Sequence, residues 1–226
     1  MRWMLPTLAA AAMIVGGATL SLQAGQNEDG EHNTLTEAER EAGWVLMFNG
    51  EDLDGWKMSE SNADSVSVDD GMIVTNGPCG HLFYGEDGNA QIGDFEFSAD
   101  VYCDGPSNSG IYIRTRYQRA SWPDYGFECQ VANGYGDPRK TASLYAISDI
   151  AESPAQDDAW FHYQIKVEGD RVRIWIDGEL AQDWTQPDDW GNDNRNLDNP
   201  GTFALQAHDP GSTVRFRNLK YRPLND

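Results

Sequence analysis

Positive charge is scarce in this chain: 16 Lys and Arg stand against 37 Asp and Glu, for a formal net charge of −21. A field of that sign repels phosphates, which excludes nucleic acid and anionic lipid surfaces as partners. Cysteine is scarcer still, with Cys79, Cys103 and Cys129 alone. Nothing in their spacing resembles a paired-cysteine zinc site, and an odd number cannot close completely into disulfides. After the first 43 residues there is no sustained helical period, no internal repeat and no low-complexity tract. A helical or repeat architecture is thereby excluded.

A long apolar run occurs once, over residues 5–22, preceded by Arg2, interrupted by Pro6, Gly16 and Gly17, and followed by small residues up to Ala24. That is the layout of a secretory signal peptide over residues 1–24. A spanning helix needs about 20 predominantly apolar residues with interfacial anchors, and this run is short, Ala-rich and followed by acidic residues. The expectation is a secreted or periplasmic protein, free of the membrane after cleavage. Residues 25–43 read as an acidic tether with a short helix, Thr36 serving as N-cap and Glu39 closing a capping box. The rest, 44–226, has the length of one domain.

From Trp44 onward, short alternating segments are separated by Gly, Asp, Asn and Pro clusters, the pattern of an antiparallel all-β protein. The clearest strands are predicted over 95–103, 110–116, 126–131, 161–168, 171–177, 202–207 and 213–221. Glu168-Gly169-Asp170 and Asp177-Gly178 supply hairpin turns. Cys103 falls in phase with Phe95, Phe97 and Val101, and Cys129 with Phe127 and Val131. Both therefore point into the core, either joined as a disulfide or as buried free thiols. The stretch 187–200 is rich in Asp and Asn and reads as a long loop.

The two-residue period of a strand puts Tyr112 and Arg114 opposite Ile111 and Ile113. It puts Glu128 and Gln130 opposite Phe127, Cys129 and Val131, and Gln206 and His208 opposite Phe203 and Leu205. If these strands share one sheet, its open face carries an acid, a guanidinium, an imidazole, amides and a phenol. Such groups bind hydroxyls and move protons near neutral pH. Asn108 sits in a polar turn just before one of these strands, and Lys140 and Tyr145 are placed to reach over the same face. Of the eight tryptophans, Trp56, Trp160 and Trp175 are expected in the core or capping a sheet. Trp122 and Trp190, in polar loops, are candidates for stacking on a sugar.

The strings resemble a known family, the 3-keto-disaccharide hydrolase domain. The likeness starts at Asn33-Thr34-Leu35-Thr36 and runs through Gly43-Trp44-Val45-Leu46-Met47-Phe48-Asn49-Gly50 and Leu53-Asp54-Gly55-Trp56. It continues with Asn108-Ser109-Gly110-Ile111, Arg114, Gly126-Phe127-Glu128-Cys129-Gln130, Leu144-Tyr145 and Trp160. It ends with Leu205-Gln206-Ala207-His208 and Phe216-Arg217-Asn218. The resemblance implies a concanavalin A-like jelly roll of two antiparallel sheets, acting on 3-keto-glycosides as hydrolase, lyase or hydratase, in some members with a divalent metal. A ketone at C3 acidifies the hydrogen on C2, so a base can eject the C1 substituent, and water can add back. By this resemblance Glu128 is base or metal ligand, His208 acid or metal ligand, and Arg114 the electrophilic stabiliser. Gln130 and Asn108 would orient hydroxyls, and Tyr112, Lys140, Tyr145 and Gln206, placed by the strand and loop reading, are expected to contact the substrate. Two positions depart from the family pattern: Ala132-Asn133 stands where Asp-Asn is usual, and Phe161 follows Trp160 in place of Asn.

The ligand expected is a small carbohydrate, and no protein partner is identifiable. Two alternatives share the scaffold. A lectin-like glycan-binding module predicts a shallow groove dominated by exposed aromatics. Hydrolysis by paired carboxylates needs a second acid about 5–9 Å from Glu128.

Overall fold

The computed structural model describes residues 31–224. The signal-peptide reading of 1–24 and the start of the tether, 25–30, lie outside the described residues. Among these residues thirteen strands follow one short α-helix, α1 (Glu37–Glu41). They are β1 (Val45–Leu46), β2 (Trp56–Met58), β3 (Val66–Asp69), β4 (Met72–Asn76), β5 (Gly80–Tyr84), β6 (Phe95–Asp104), β7 (Ser109–Thr115), β8 (Phe127–Val131), β9 (Trp160–Glu168), β10 (Arg171–Ile176), β11 (Glu179–Thr185), β12 (Thr202–Ala207) and β13 (Thr213–Pro223). Every pairing is antiparallel.

The strands form two sheets. The larger runs β11-β10-β9-β6-β13-β4-β3 with β1 beside β13, and the smaller runs β2-β5-β12-β7-β8. Alternation puts Phe95, Phe97, Val101 and Cys103 of β6 against Ile111, Ile113, Phe127, Cys129, Val131, Phe203 and Leu205 of the smaller sheet. This is the jelly-roll sandwich that the pattern of short strands predicts. The three cysteines are free thiols, with Cys103 and Cys129 both buried in that core. Asp177 (φ 50°) and Gly178 (φ 82°) close the β10–β11 hairpin in the left-handed backbone that a two-residue turn demands.

Two departures from the expected layout matter for the site. The segment from residue 31 is docked on the larger sheet rather than loose. The Asn33 and Asn218 side-chain carbonyls each accept the other's backbone N–H, at 2.9 and 2.7 Å, and Lys220 pairs with Glu39 beside the capped helix. In β7 the alternation breaks at Arg114. Tyr112 faces Ala204 while Thr115 faces Thr202, so β7 uses an extra residue and Arg114 takes a left-handed φ of 55°. Gly126 and Gly201 bracket this bulge. A Cβ on Gly126 would stand 2.4 Å from the Ile113 carbonyl oxygen, and one on Gly201 2.5 Å from the Arg114 carbonyl carbon.

Both bracketing contacts are with backbone, which cannot turn aside as a side chain can. Gly201→Ala is therefore expected to destabilise the protein by about 1–3 kcal/mol, the usual cost of overpacking, measured by urea denaturation. A variant as stable as the wild type would show that the bulge relaxes freely.

Candidate active site on the smaller sheet

The register of the smaller sheet sets out the site in rows. Gln206 on β12 lies beside His81 on β5, Tyr112 on β7 beside Glu128 on β8, and Gly110 beside Gln130. All project from the face opposite the core. Loops complete a cleft of about 200 Å³: Trp122 and Pro123 come from the β7–β8 connection, Tyr145 from the segment after β8 and Arg195 from the 187–200 loop. His208 follows β12, and Asn108 precedes β7. A wider depression of about 560 Å³ on the other side of the molecule, lined by residues such as Asn49, Glu51 and Asp70, gathers none of the predicted site residues.

Glu128 is the centre of the cleft. Tyr112 Oη donates to its Oε2 at 2.9 Å, and Gln206 Nε2 donates to its Oε1 at 2.7 Å. In the orientation that satisfies its amide, Gln130 adds a third donor to Oε1 at 3.1 Å. Burial pushes the Glu128 carboxyl above the ordinary range, against the pull of the Tyr112 and Gln206 hydrogen bonds and the charges of His208 and Arg195. Burial, reinforced by the Glu128 charge, holds the Tyr112 phenol well above its usual value, so it stays a donor. The backbone locks the acid in place, since the Tyr145 N–H donates to the Glu128 carbonyl at 2.9 Å.

His208 is half-buried, with Nδ1 2.8 Å from Asp209 Oδ2. Burial alone would raise the Asp209 carboxyl, but hydrogen bonds from His208, Ser212, the Gly211 N–H and Tyr135 hold it below its ordinary value. Trp122 tilts over His208 with ring centroids 5.1 Å apart, and it is 42% exposed, as a stacking residue requires.

Of the predicted residues, Asn108, Tyr112, Trp122, Glu128, Gln130, Tyr145, Gln206 and His208 converge here, and three do not. Arg114 is turned away by the β7 bulge. Its guanidinium donates to the Ile92 carbonyl at 2.9 Å and to Asp94 Oδ1 at 2.8 Å, so it fastens the approach to β6 instead of facing the cleft. Lys140 donates to the Tyr135 carbonyl, away from the cleft. Trp190 packs edge-on against Trp184, with ring centroids 5.4 Å apart.

Two residues were not predicted: Arg195, a cation lining the cleft, and His81, buried beside Gln206 in ring contact with Trp122 and Tyr112. The Asn-rich loop signalled Arg195 only as part of a stretch. His81 gave no signal, because its in-phase neighbour on β5 is the apolar Phe83 and the strand shows no polar–apolar alternation.

The donors do not suit a metal. Among the described residues no three His, Cys, Asp or Glu side chains gather. Both Glu128 oxygens already accept hydrogen bonds, and His208 Nδ1 is engaged by Asp209.

Two stacked antiparallel sheets, with polar groups gathered on the open face of the smaller one, define a concanavalin A-like jelly roll. The chain belongs to the 3-keto-alpha-glucoside-1,2-lyase-like domain family, whose sequence profile matches residues 43–222. It is thus a carbohydrate-active domain, and the resemblance carried by the Asn-Ser-Gly, Glu-x-Gln and Gln-Ala-His strings is to this family.

A candidate glycosyl hydrolase from Parabacteroides distasonis ATCC 8503 has a TM-score of 0.74 at 23% identity, covering 86% of this chain and 100% of that one. The carbohydrate-binding module CBM66 from Bacillus subtilis has a TM-score of 0.53 at 17% identity, covering 74% and 95%. SCLam, a non-specific endo-β-1,3(4)-glucanase of family GH16, has a TM-score of 0.50 at 14% identity, covering 77% and 86%. At these identities the likeness establishes the fold. No curated protein matches the chain.

A carboxyl whose pKa is raised by folding binds its proton more tightly in the folded protein than in the unfolded chain. Its contribution to stability is therefore lost as pH rises from the ordinary value of 4.5 through the elevated one. Glu128→Gln is expected to escape that loss and gain on the wild type across this window, with no further change below it. Urea denaturation midpoints from about pH 4 to about pH 8 test this, and parallel profiles for the two proteins would refute the raised pKa.

Proposed function

We propose that this protein is exported and cleaves 3-keto-glycosides by elimination followed by hydration. The observation that carries the reading is a single buried carboxyl, Glu128, held by Tyr112 and Gln206 in a cleft that also presents His208. Ordinary paired-carboxylate hydrolysis is less well supported, since Glu128 is the one carboxylate among the described residues lining the cleft and Asp209 is engaged by His208.

In this reading Glu128 removes the C2 proton, and the electron pair moves toward the C3 carbonyl oxygen. A desolvated carboxylate with a raised pKa is suited to that transfer. Arg195 takes the electrophilic role first assigned to Arg114, and the protonated Tyr112 phenol adds a neutral donor. His208, oriented by Asp209 through Nδ1, gives a proton to the departing C1 oxygen as the C1–O bond breaks. Water then adds across the C1–C2 double bond, so elimination plus hydration sums to hydrolysis. Trp122 offers the sugar ring an apolar platform.

A second reading, a glycan-binding module, is favoured by one observation, the exposed Trp122 at the rim. The two readings separate on turnover. Purified protein is expected to release the aglycone from a 3-keto-glucoside, with the rate unchanged by a chelator. Glu128→Gln is expected to reduce kcat by about 10²-fold or more, the usual contribution of a positioned acid or base. Binding without turnover supports the module, and a fully active Glu128→Gln removes that residue from the base role.

Export rests on the charged, apolar and small-residue order of residues 1–24. N-terminal sequencing of the protein recovered outside the cytoplasm is expected to begin near residue 25. Recovery of a cytoplasmic protein with residue 1 intact would contradict it.

A further inference from the structure

His81 is 1% exposed, and neither ring nitrogen has a hydrogen-bond partner. Its backbone, by contrast, is fully engaged: the N–H donates to Ser59 Oγ at 3.0 Å, and the carbonyl accepts the Ser59 N–H at 2.8 Å. The ring is fixed while its polar atoms are idle. Directly across the strand pair lies Gln206, also 1% exposed, whose Oε1 is likewise without a partner. That amide cannot turn over to relieve the deficit, because its nitrogen is the group donating to Glu128 at 2.7 Å. An oxygen there would face a carboxylate. Buried polar groups in native proteins are nearly always paired, and a cluster of idle ones beside a cleft marks a place where a ligand or water completes the pairing.

The chemistry of the cluster narrows what fits. Burial, with the nearby His208 charge, pushes the His81 pKa down to about 3, so the ring is neutral at physiological pH, with one N–H donor and one bare nitrogen acceptor. Gln206 Oε1 is an acceptor. A neutral donor beside a neutral acceptor matches a hydroxyl, which gives one hydrogen bond and takes another. Trp122 roofs the position, edge-on to His81 at 5.7 Å between ring centroids, and Tyr112 walls it at 5.4 Å. Because Trp122 is a loop residue 42% exposed, its indole can tilt aside without disturbing the sheet.

We propose that His81 and the side-chain carbonyl of Gln206 form a hydroxyl-binding subsite next to Glu128, roofed by Trp122, which selects a glycoside by one sugar hydroxyl. The identity of the ligand as a sugar rests on the function proposed above. The hydroxyl donates to Gln206 Oε1 and accepts from the His81 N–H. It thereby ties the substrate to the same amide that holds the Glu128 carboxylate.

The test is a cycle between protein and substrate. His81→Phe keeps a ring against Trp122 and Tyr112 and removes both nitrogens, and His81→Leu serves if the Phe variant does not fold. Wild type and variant are assayed on a 3-keto-glucoside and on its analogues singly deoxygenated at C2, C4 and C6. One analogue is expected to lose about 10²-fold in kcat/KM with the wild type, the size of two hydrogen bonds to neutral groups. The variant is expected to lose about tenfold on the parent, the size of one such bond, and nothing further on that analogue. The thermal midpoint of His81→Phe should equal or exceed that of the wild type, since an unpaired buried group is removed. Losses that multiply for all three analogues overturn the subsite, as does a variant indistinguishable from wild type. If the wild type turns over no 3-keto-glucoside, the proposed activity fails on its own account. The same cycle is then read as Kd by calorimetry with glucose and its deoxy analogues. Coupling at one hydroxyl supports the subsite, and absence of coupling or of binding overturns it.

Discussion

The Glu128 carboxylate lies flat across β7 because residue 110 is glycine. A Cβ there would stand 2.7 Å from Oε1 and 2.9 Å from Cγ, so any other residue would lift the acid off the sheet. Lying flat, the carboxylate comes under the Tyr112 phenol on one side and the Gln206 amide on the other. It also loses its water, which is why its proton is held more tightly than in an exposed glutamate. The rest of the cleft follows from that one contact. Gln206 spends its nitrogen on Glu128 and is left with an idle oxygen, and His81 across the strand pair is left without a neighbour to bond. A site of this kind is built from rigid strand positions, with the loops bearing Trp122, Tyr145 and Arg195 closing over it.

What was legible in the sequence, and what was not, divides along the same physical line. Glu128, Gln130, Gln206 and His208 were found by counting in twos, because each is a polar residue alternating with apolar ones that face the core, Phe127, Cys129 and Val131 on β8 and Phe203 and Leu205 on β12. Counting failed at Arg114, where the backbone takes a left-handed residue and the phase shifts. The cause of that bulge is not local. Gly126 and Gly201, 12 and 87 residues away in the chain, leave the room for it, and no window around residue 114 contains them. His81 was invisible for the opposite reason. Its neighbour in phase on β5 is Phe83, which packs with Tyr112 and Ala204 on the same face, so polar and apolar residues do not alternate. Arg195 was legible only as a member of an Asn-rich loop, since a loop has no period from which to read direction.

The departures from the family pattern bear on the same point. Ala132 stands where an aspartate is usual, and it is fully buried beside Asn133, whose side chain is taken up by Thr141, Ser153 and the Gln156 carbonyl. Among the described residues the cleft is lined by one carboxylate, Glu128, with hydroxyl and amide donors around it. In the function proposed above, that balance serves proton removal from carbon, where a desolvated base and neutral donors lower the barrier together.

A second imidazole–carboxylate pair shows why convergence alone does not make an active site. On the outer face of the larger sheet, His162 Nδ1 lies 2.8 Å from Asp100 Oδ1 and its Nε2 lies 3.3 Å from Ser98 Oγ. The order of groups is that of an acyl-transfer triad. Yet Ser98, His162 and Asp100 are 3, 7 and 7% exposed, and none of them lines either depression of the surface. Asp100 spends its other oxygen on the Asn218 amide, which in turn holds Asn33 and fastens the N-terminal segment to the sheet. In that network the bonds run from one part of the protein to another and both imidazole nitrogens are partnered. Around Glu128 the polar atoms are in excess of their partners, and the excess opens onto a cleft. Satisfied networks hold a fold together; it is the unsatisfied one, beside a desolvated acid, that has bonds left to offer a substrate.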